Sequence, residues 1–334
     1  MRKNSERGNK MKKALKIILI VLLVLVLLAG IGVAIGYFYI RGTIDQVNHV
    51  EIDENEIVVN DTVAEPTEEI RNIAILGIDS REDDYGKGNR SDCIIIAHIN
   101  QKTKEIKLVS VYRDTYLEIT GRGLDKVTHA YSYGGPTLAL STLNTNLDLN
   151  MKEFVTVNFE AVKEMVDDVG GITLEIDSDE VKHVPGITAP GTYHLNGEQA
   201  LAYSRIRYAA GGDYKRTERM RTVIMAIFDT VKTKSIPELT KIAGQILPKI
   251  NTNIDTNEII SLLPQVATYK ITETIGWPYN TKGKTINGVW YGPPITLESN
   301  VTRLHQEVFG ETDYVPSEKV KEISNQIIKK TGYQ

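Results

Sequence analysis

Cys93 is the only cysteine in the 334-residue chain, so no intrachain disulfide can form and the fold must rest on its own core. It opens an apolar run and reads as a small buried hydrophobe rather than a nucleophile. Three signatures are missing: the GxxxxGK(S/T) phosphate loop, the HExxH zinc pair and the GxSxG serine elbow. Their absence argues against P-loop nucleotide hydrolysis, thermolysin-like zinc chemistry and α/β-hydrolase acyl transfer. There is no cationic excess either, and the net charge of −4 argues against general nucleic-acid affinity. Internal repeats and low-complexity tracts are lacking, which excludes a solenoid.

What the chain does have is one long apolar run. Lys12, Lys13 and Lys16 close a basic leader, and Ile17–Ile40 then passes 24 residues without a charge before Arg41. A bilayer core needs about 20 apolar residues, whereas the core of a cleavable signal peptide has roughly 7–15, so a retained anchor is expected. The cations precede the span, which predicts a cytoplasmic N-terminus and an extracytoplasmic remainder. The expected organisation is a leader (1–16), a transmembrane helix (17–40), a linker (41–69) and one extracytoplasmic domain (70–334). That domain divides into a core (71–232) and a C-terminal extension (233–334). The linker is rich in Asp and Glu, with Pro66 near its end and at most one strand around Ile57–Val59.

Asn72–Ile78, Cys93–Ile99 and Ile106–Tyr112 read as three apolar strands. Such neighbours pair antiparallel, which brings the exits of the first and third and the entrance of the second to one edge. Asp79, Ser80 and Arg81, then Arg90, Ser91 and Asp92, then Arg113 and Asp114 occupy those three places. Carboxylates and guanidinium groups gathered in this way suit a divalent cation beside a phosphate.

Further on, Thr137–Leu147 has a helical pattern behind the breaker Gly134-Gly135-Pro136. Phe154–Asn158 reads as a strand, Glu160–Val169 as a helix stopped by Gly170-Gly171, and Ile172–Ile176 as a strand, together one crossover unit. Interleaved strands and helices predict an α/β fold, a mixed central sheet sandwiched by helices behind the N-terminal transmembrane helix. In Tyr203–Tyr208 an extended reading puts Arg205 and Arg207 on one face. After Gly211-Gly212, with Asp213 as N-cap, comes a helix with Arg216 and Arg219 near its positive end, a plausible pyrophosphate clamp.

Asn72–Asp92, LVSVYRDTYLE (Leu108–Glu118), KVTHAYSYGGP (Lys126–Pro136), Val155–Gly171 and LNGEQALAYSRIRYAAGGDYKRTERMR (Leu195–Arg221) resemble, in order, the motifs of the LytR-CpsA-Psr family. The resemblance implies an α-β-α domain that transfers a glycopolymer from a polyprenyl pyrophosphate lipid to peptidoglycan. It also implies Mg2+, with Mn2+ as a substitute, on Asp79 and Asp92, and pyrophosphate on Arg90, Arg113, Arg205, Arg207 and Arg216. Two positions depart from the pattern: Tyr112 stands where the family often has Pro, and Met220 where it often has Gln. Tyr112 ends a strand comfortably, whereas Met220 lies on an apolar stripe and suits packing.

Positioning and charge neutralisation dominate phosphoryl transfer, and arginine forks bind phosphate oxygens bidentately. The expected catalytic set is therefore Asp79, Asp92, Arg113, Arg205 and Arg207. Lys126 and Arg219 join the arginines as pyrophosphate contacts, and Asp79, Asp92 or Asp114 takes the acceptor proton. A pyrophosphate hydrolase and a non-enzymatic envelope regulator are the alternatives. His129 reads as a supporting histidine rather than a metal ligand. Tyr131, Tyr133, Trp277 and Trp290 read as core residues by default. Ile236–Ile250 and Thr256–Tyr269 read as helices, and Trp277–Pro294 as a loop or hairpin.

Overall fold

The computed structural model describes residues 41–42, 48–80, 85–206 and 212–333. The expected membrane span lies outside them. After β1 (Asn48–His49), the three predicted strands form as β2 (Ile70–Ile78), β3 (Ser91–Asn100) and β4 (Glu105–Val111). β3 pairs antiparallel with both neighbours, as expected. Its run from Cys93 to Ala97 is buried throughout, as a strand covered on both faces requires.

β5 (Tyr116–Ile119) and β6 (Gly123–Lys126) make a separate hairpin that feeds α1 (Thr128–Leu147). The expected breaker kinks this helix without ending it. Gly135 takes φ 69° and ψ −157°, open to glycine alone at low cost, and Pro136 restarts the next turn. β7 (Glu153–Asn158) lies parallel beside β2 and leads into α2 (Phe159–Asp168), whose N-cap Asn158 accepts from Ala161 N at 2.7 Å.

Gly170 and Gly171, at φ 90° and 89°, turn the chain into β8 (Ile172–Ile176). This strand does not return to the main sheet, so the predicted crossover is incorrect. β8 exposes Thr173 and Glu175 between buried Ile172, Leu174 and Ile176. A strand with one wet face suits the two-stranded sheet it forms with β9 (Gly191–Leu195).

Next come α3 (Gly197–Ser204), α4 (Gly212–Val231) and α5 (Ile236–Ile246), followed by β10 (Ile250–Thr252), α6 (Thr256–Leu262) and β11 (Lys270–Trp277). The last elements are a hairpin of β12 (Lys284–Ile286) and β13 (Val289–Tyr291), then α7 (Leu297–Leu304) and α8 (Glu318–Thr331). α5 and α6 are shorter than predicted, because 3-10 segments containing Pro248 and Pro264 replace their last turns. The main sheet runs β1-β10-β7-β2-β3-β4-β11. One face packs Ile94 and Ile96 against Leu140, Leu143, Val301 and Ile323, and the other packs Cys93, Ile95 and Ala97 against Phe159, Leu201 and Met220. Helices thus cover both faces of a mixed sheet.

Much of the expected linker is integral to this unit. β1 pairs with β10, Ile57 joins the core, and Asn60 Nδ2 donates to Asp148 Oδ1 at 2.5 Å.

Candidate active site

β2, β4, β7 and β11 run in one direction and β3 in the other, so four strand exits and the entrance of β3 share one end of the sheet. In open α/β sheets that end is where ligands bind. Gly77 faces Cys93 while Ile78 faces Ser91, which leaves Asp92 as the extra residue of a bulge. A bulge resets the alternation of side chains and re-aims its own. Ser91 is thereby tied to α1, whose Thr128 Oγ1 donates to Ser91 O at 2.9 Å. Asp92 is directed at the charges of β4 and α4.

Those charges form a connected row. Arg113 Nη1 lies 2.7 Å from Asp92 Oδ1, and Arg216 Nη1 lies 3.8 Å from Asp92 Oδ2. Arg113 Nε is 3.5 Å from Asp114 Oδ2, whose other oxygen is 2.6 Å from Lys126 Nζ. The carboxylate of Asp92 is almost fully buried, and a buried charge is tolerable only when paired this closely. Three cations serve two carboxylates in this row, and exposed Arg90 stands just before β3. Guanidinium and ammonium groups gathered in this way suit an anionic ligand.

Asp79 is exposed at the end of β2, where its N donates to Arg90 O at 3.2 Å. Arg205 reaches the same end by another route, its guanidinium 4.7 Å from the ring centroid of Phe159, the first residue after β7. It is not on an extended segment, as predicted, but caps α3 at φ −92° and ψ −1°. A capping box between Asn196 and Gln199 starts that helix and carries it to Ser204. Arg207 lies outside the described residues. Asp213 falls inside α4 rather than before it.

Arg219 does not join the row. Its Nε is 2.6 Å from Glu180 Oε1 and its Nη1 donates to Ile206 O at 3.4 Å, both in a buried layer beside β8 and β9. Side chains three apart on a helix share a face; the two guanidinium groups part because Glu180 holds Arg219 while Arg216 turns to Asp92. Met220 is buried among apolar neighbours, as its place on the stripe predicts.

The model of the LytR_cpsA_psr family matches residues 36–306. The chain belongs to this family. A polyisoprenyl-teichoic acid–peptidoglycan teichoic acid transferase, TagU, of Oceanobacillus iheyensis is 34% identical over 251 residues, 72% of this chain and 75% of the relative. TagT of Bacillus subtilis, named for the same transfer, is 31% identical over 288 residues, 82% of this chain and 89% of that one. The structure of TagT with bound octaprenyl pyrophosphate lipid aligns with a TM-score of 0.58 at 25% identity, covering 85% of this chain and 100% of that chain. TagT bound to LIIa-WTA aligns with a TM-score of 0.62 at 27% identity and the same coverage.

The fold also gathers residues to which the sequence reading gave no part in the site. Beneath the α4 face, Ile75, Cys93, Val162, Met220 and Ile224 line an apolar cavity with Phe159 at its wall. A second apolar cavity, with Ile73, Ile99 and Ile106, lies further along the same face. Burial pushes the Cys93 thiol up to about 12, so it is inert as a nucleophile.

On the other side of the row, Asp125 accepts from His129 Nδ1 and Tyr133 Oη at 2.9 Å each and from Lys126 N at 2.7 Å. Burial works to raise the pKa of this carboxyl, but the hydrogen bonds outweigh it and hold the group below its ordinary range. His129 is accordingly a supporting residue and Tyr131 is core, whereas Tyr133 is exposed. Trp277 is fully buried, as expected, but Trp290 is exposed. A roomier cavity lined by Asn72, His98, Asp148, His305 and Tyr314 lies at the opposite end of the sheet and holds none of the predicted site residues.

Proposed function

We propose that this LytR-CpsA-Psr chain is a membrane-anchored phosphotransferase. It moves a glycopolymer from a polyprenyl pyrophosphate carrier to a sugar hydroxyl of peptidoglycan and leaves a phosphodiester link. The observation that carries this reading is Asp92, aimed by a strand bulge between Arg113 and Arg216, at the sheet end where the apolar cavity adjoins Phe159 and Arg205. The TagT and TagU relatives, named for such a transfer, support it, as does the TagT structure with octaprenyl pyrophosphate.

On this reading Ile17–Ile40 anchors the chain and the domain works outside the membrane. The prenyl chain enters the apolar cavities of the α4 face. Arg90, Arg113, Lys126, Arg205, Arg207 and Arg216 neutralise the pyrophosphate, while Arg219 stays with Glu180. The donor chemistry suits a hard cation: Asp79 and Asp92 are oxygen donors at the same end of the paired strands β2 and β3. Mg2+ needs only one or two carboxylates and takes its remaining ligands from phosphate and water, so Asp79 and Asp92 would hold it, or Mn2+. Bound there, the ion would draw charge from the phosphate oxygens.

The hydroxyl oxygen attacks the phosphorus that carries the glycan. As the new P–O bond forms, the bond to the polyprenyl phosphate oxygen breaks, polyprenyl monophosphate leaves, and the proton passes to Asp79, Asp92 or Asp114. Purified full-length protein in detergent, given Mg2+, a lipid pyrophosphate-linked glycan and peptidoglycan, should yield polymer coupled to the wall. Release of free phosphorylated polymer instead would make the chain a hydrolase, and no reaction with either acceptor would refute the assignment.

A further inference from the structure

Two exposed tyrosines, Tyr133 and Tyr214, lie beside the Arg113 end of the sheet. Tyr214 sits in the first turn of α4 with its ring 4.5 Å from that of Tyr112, the residue before Arg113. Tyr133 sits in the second turn of α1, with Arg122 stacked 4.5 Å from its ring centroid and its hydroxyl on Asp125. Between them runs the end of β13. Tyr291 lies 4.6 Å from Tyr116 and 5.8 Å from Lys126 Nζ, and the next residue, Gly292, donates its N–H to Asp114 O at 2.8 Å. The C-terminal extension therefore completes a strip that runs from Tyr133 through Asp125 and Tyr291 to Tyr214 and borders the Asp114–Lys126 end of the charged row.

Resting on the transfer reading above, we propose that this strip is the subsite for the acceptor, an N-acetylhexosamine glycan. Sugars present an apolar C–H face with hydroxyls around its rim, and tyrosine rings beside a carboxylate and an imidazole answer both features. A prenyl chain would have no use for the Asp125 hub, and a bare phosphate none for the rings. The direction of attack selects the acceptor over the donor's own glycan. Attack and departure are roughly in line at phosphorus, and the prenyl phosphate departs toward the cavities on the α4 face, so the incoming hydroxyl arrives from the side of α1 and β13.

The test is titration of the purified full-length protein with an N-acetylglucosamine tetramer, alongside a separate titration with octaprenyl pyrophosphate. The double variant Tyr133→Ala/Tyr214→Ala should bind the tetramer about ten-fold more weakly or worse, while Tyr133→Phe, which keeps the ring, should stay within about three-fold. The ratio of tetramer to lipid affinity should fall by about the same ten-fold in the double variant, and its circular dichroism spectrum should match the parent. Failure of the parent to bind the tetramer overturns the subsite, as does an equal loss of both ligands or a loss of the lipid alone. Coupling without tetramer binding would sink the subsite and leave the transfer reading standing. Tetramer binding without coupling would do the reverse.

Discussion

Two buried carboxylates take an arginine from α4, and they hold it differently. Glu180 has Arg219 at 2.6 Å, accepts Asp177 N at 3.1 Å, and sits among the side chains that join β8 and β9 to the helices. Asp92 shares Arg113 at 2.7 Å with a more distant Arg216 at 3.8 Å, on a bulge at a sheet end. Both are charge pairs out of water. The first joins Arg219 to Glu180 inside a small core, whereas the second is one link in a row of several charges at a place where strands stop. Burial alone therefore does not tell a structural ion pair from one placed to meet a ligand; the surroundings of the pair have to be tested.

The largest expected effect lies at the row. Arg113→Ala should lower turnover about a thousand-fold, in the range found when one preorganised donor to a developing charge is removed. Asp92 keeps Arg216 at 3.8 Å, so the loss in equilibrium unfolding should stay below the roughly 3–5 kcal/mol of a fully stranded buried charge. A variant that unfolds readily, or that turns over normally, would mean that this pair too is only structural.

Arg219→Ala should show the reverse pattern. Stranding the carboxylate of Glu180 in the core should cost about 3–5 kcal/mol in equilibrium unfolding. Replacing both partners, as in Arg219→Met with Glu180→Leu, should recover much of that loss. Whatever remains folded of the single variant should keep its turnover per active molecule. A selective loss of lipid pyrophosphate binding in folded Arg219→Ala would return this arginine to the ligand site.

The sequence exposed the frame of the site and hid its orientation. β2, β3 and β4 were legible because unbroken apolar runs separated by polar turns leave one simple pairing, and that pairing alone collects Asp79, Asp92 and Arg113. The bulge was not legible, since an extra residue in a strand leaves no compositional mark, yet it decides where Asp92 points. Arg216 and Arg219 read as a pair because a helix surface places i and i+3 side by side. The partner that separates them, Glu180, is 39 residues from Arg219 and is brought there only by tertiary packing. Arg205 follows a helix that Asn196 and Gln199 already spell in the sequence, and such a cap outweighs alternation over six residues. β11 escaped because Lys270–Trp277 mixes Lys, Glu and Thr with its isoleucines, as an edge strand does.

Met220 sits one turn past Arg216 and one residue past Arg219, so its replacement probes the boundary between the two environments with the smallest expected effect. The thioether is buried against Cys93, Ile95 and Phe159, at the wall of the apolar cavity. Met220→Gln would place an amide among groups that offer it no hydrogen bond, at a cost of about 1–3 kcal/mol in thermal or denaturant unfolding. That result would fix the apolar layer as closed right up to Arg216. If stability instead holds and the affinity for a polyprenyl pyrophosphate rises, the amide has reached the guanidinium or the phosphate. The polar site would then extend a full helical turn deeper than the packing around Met220 indicates.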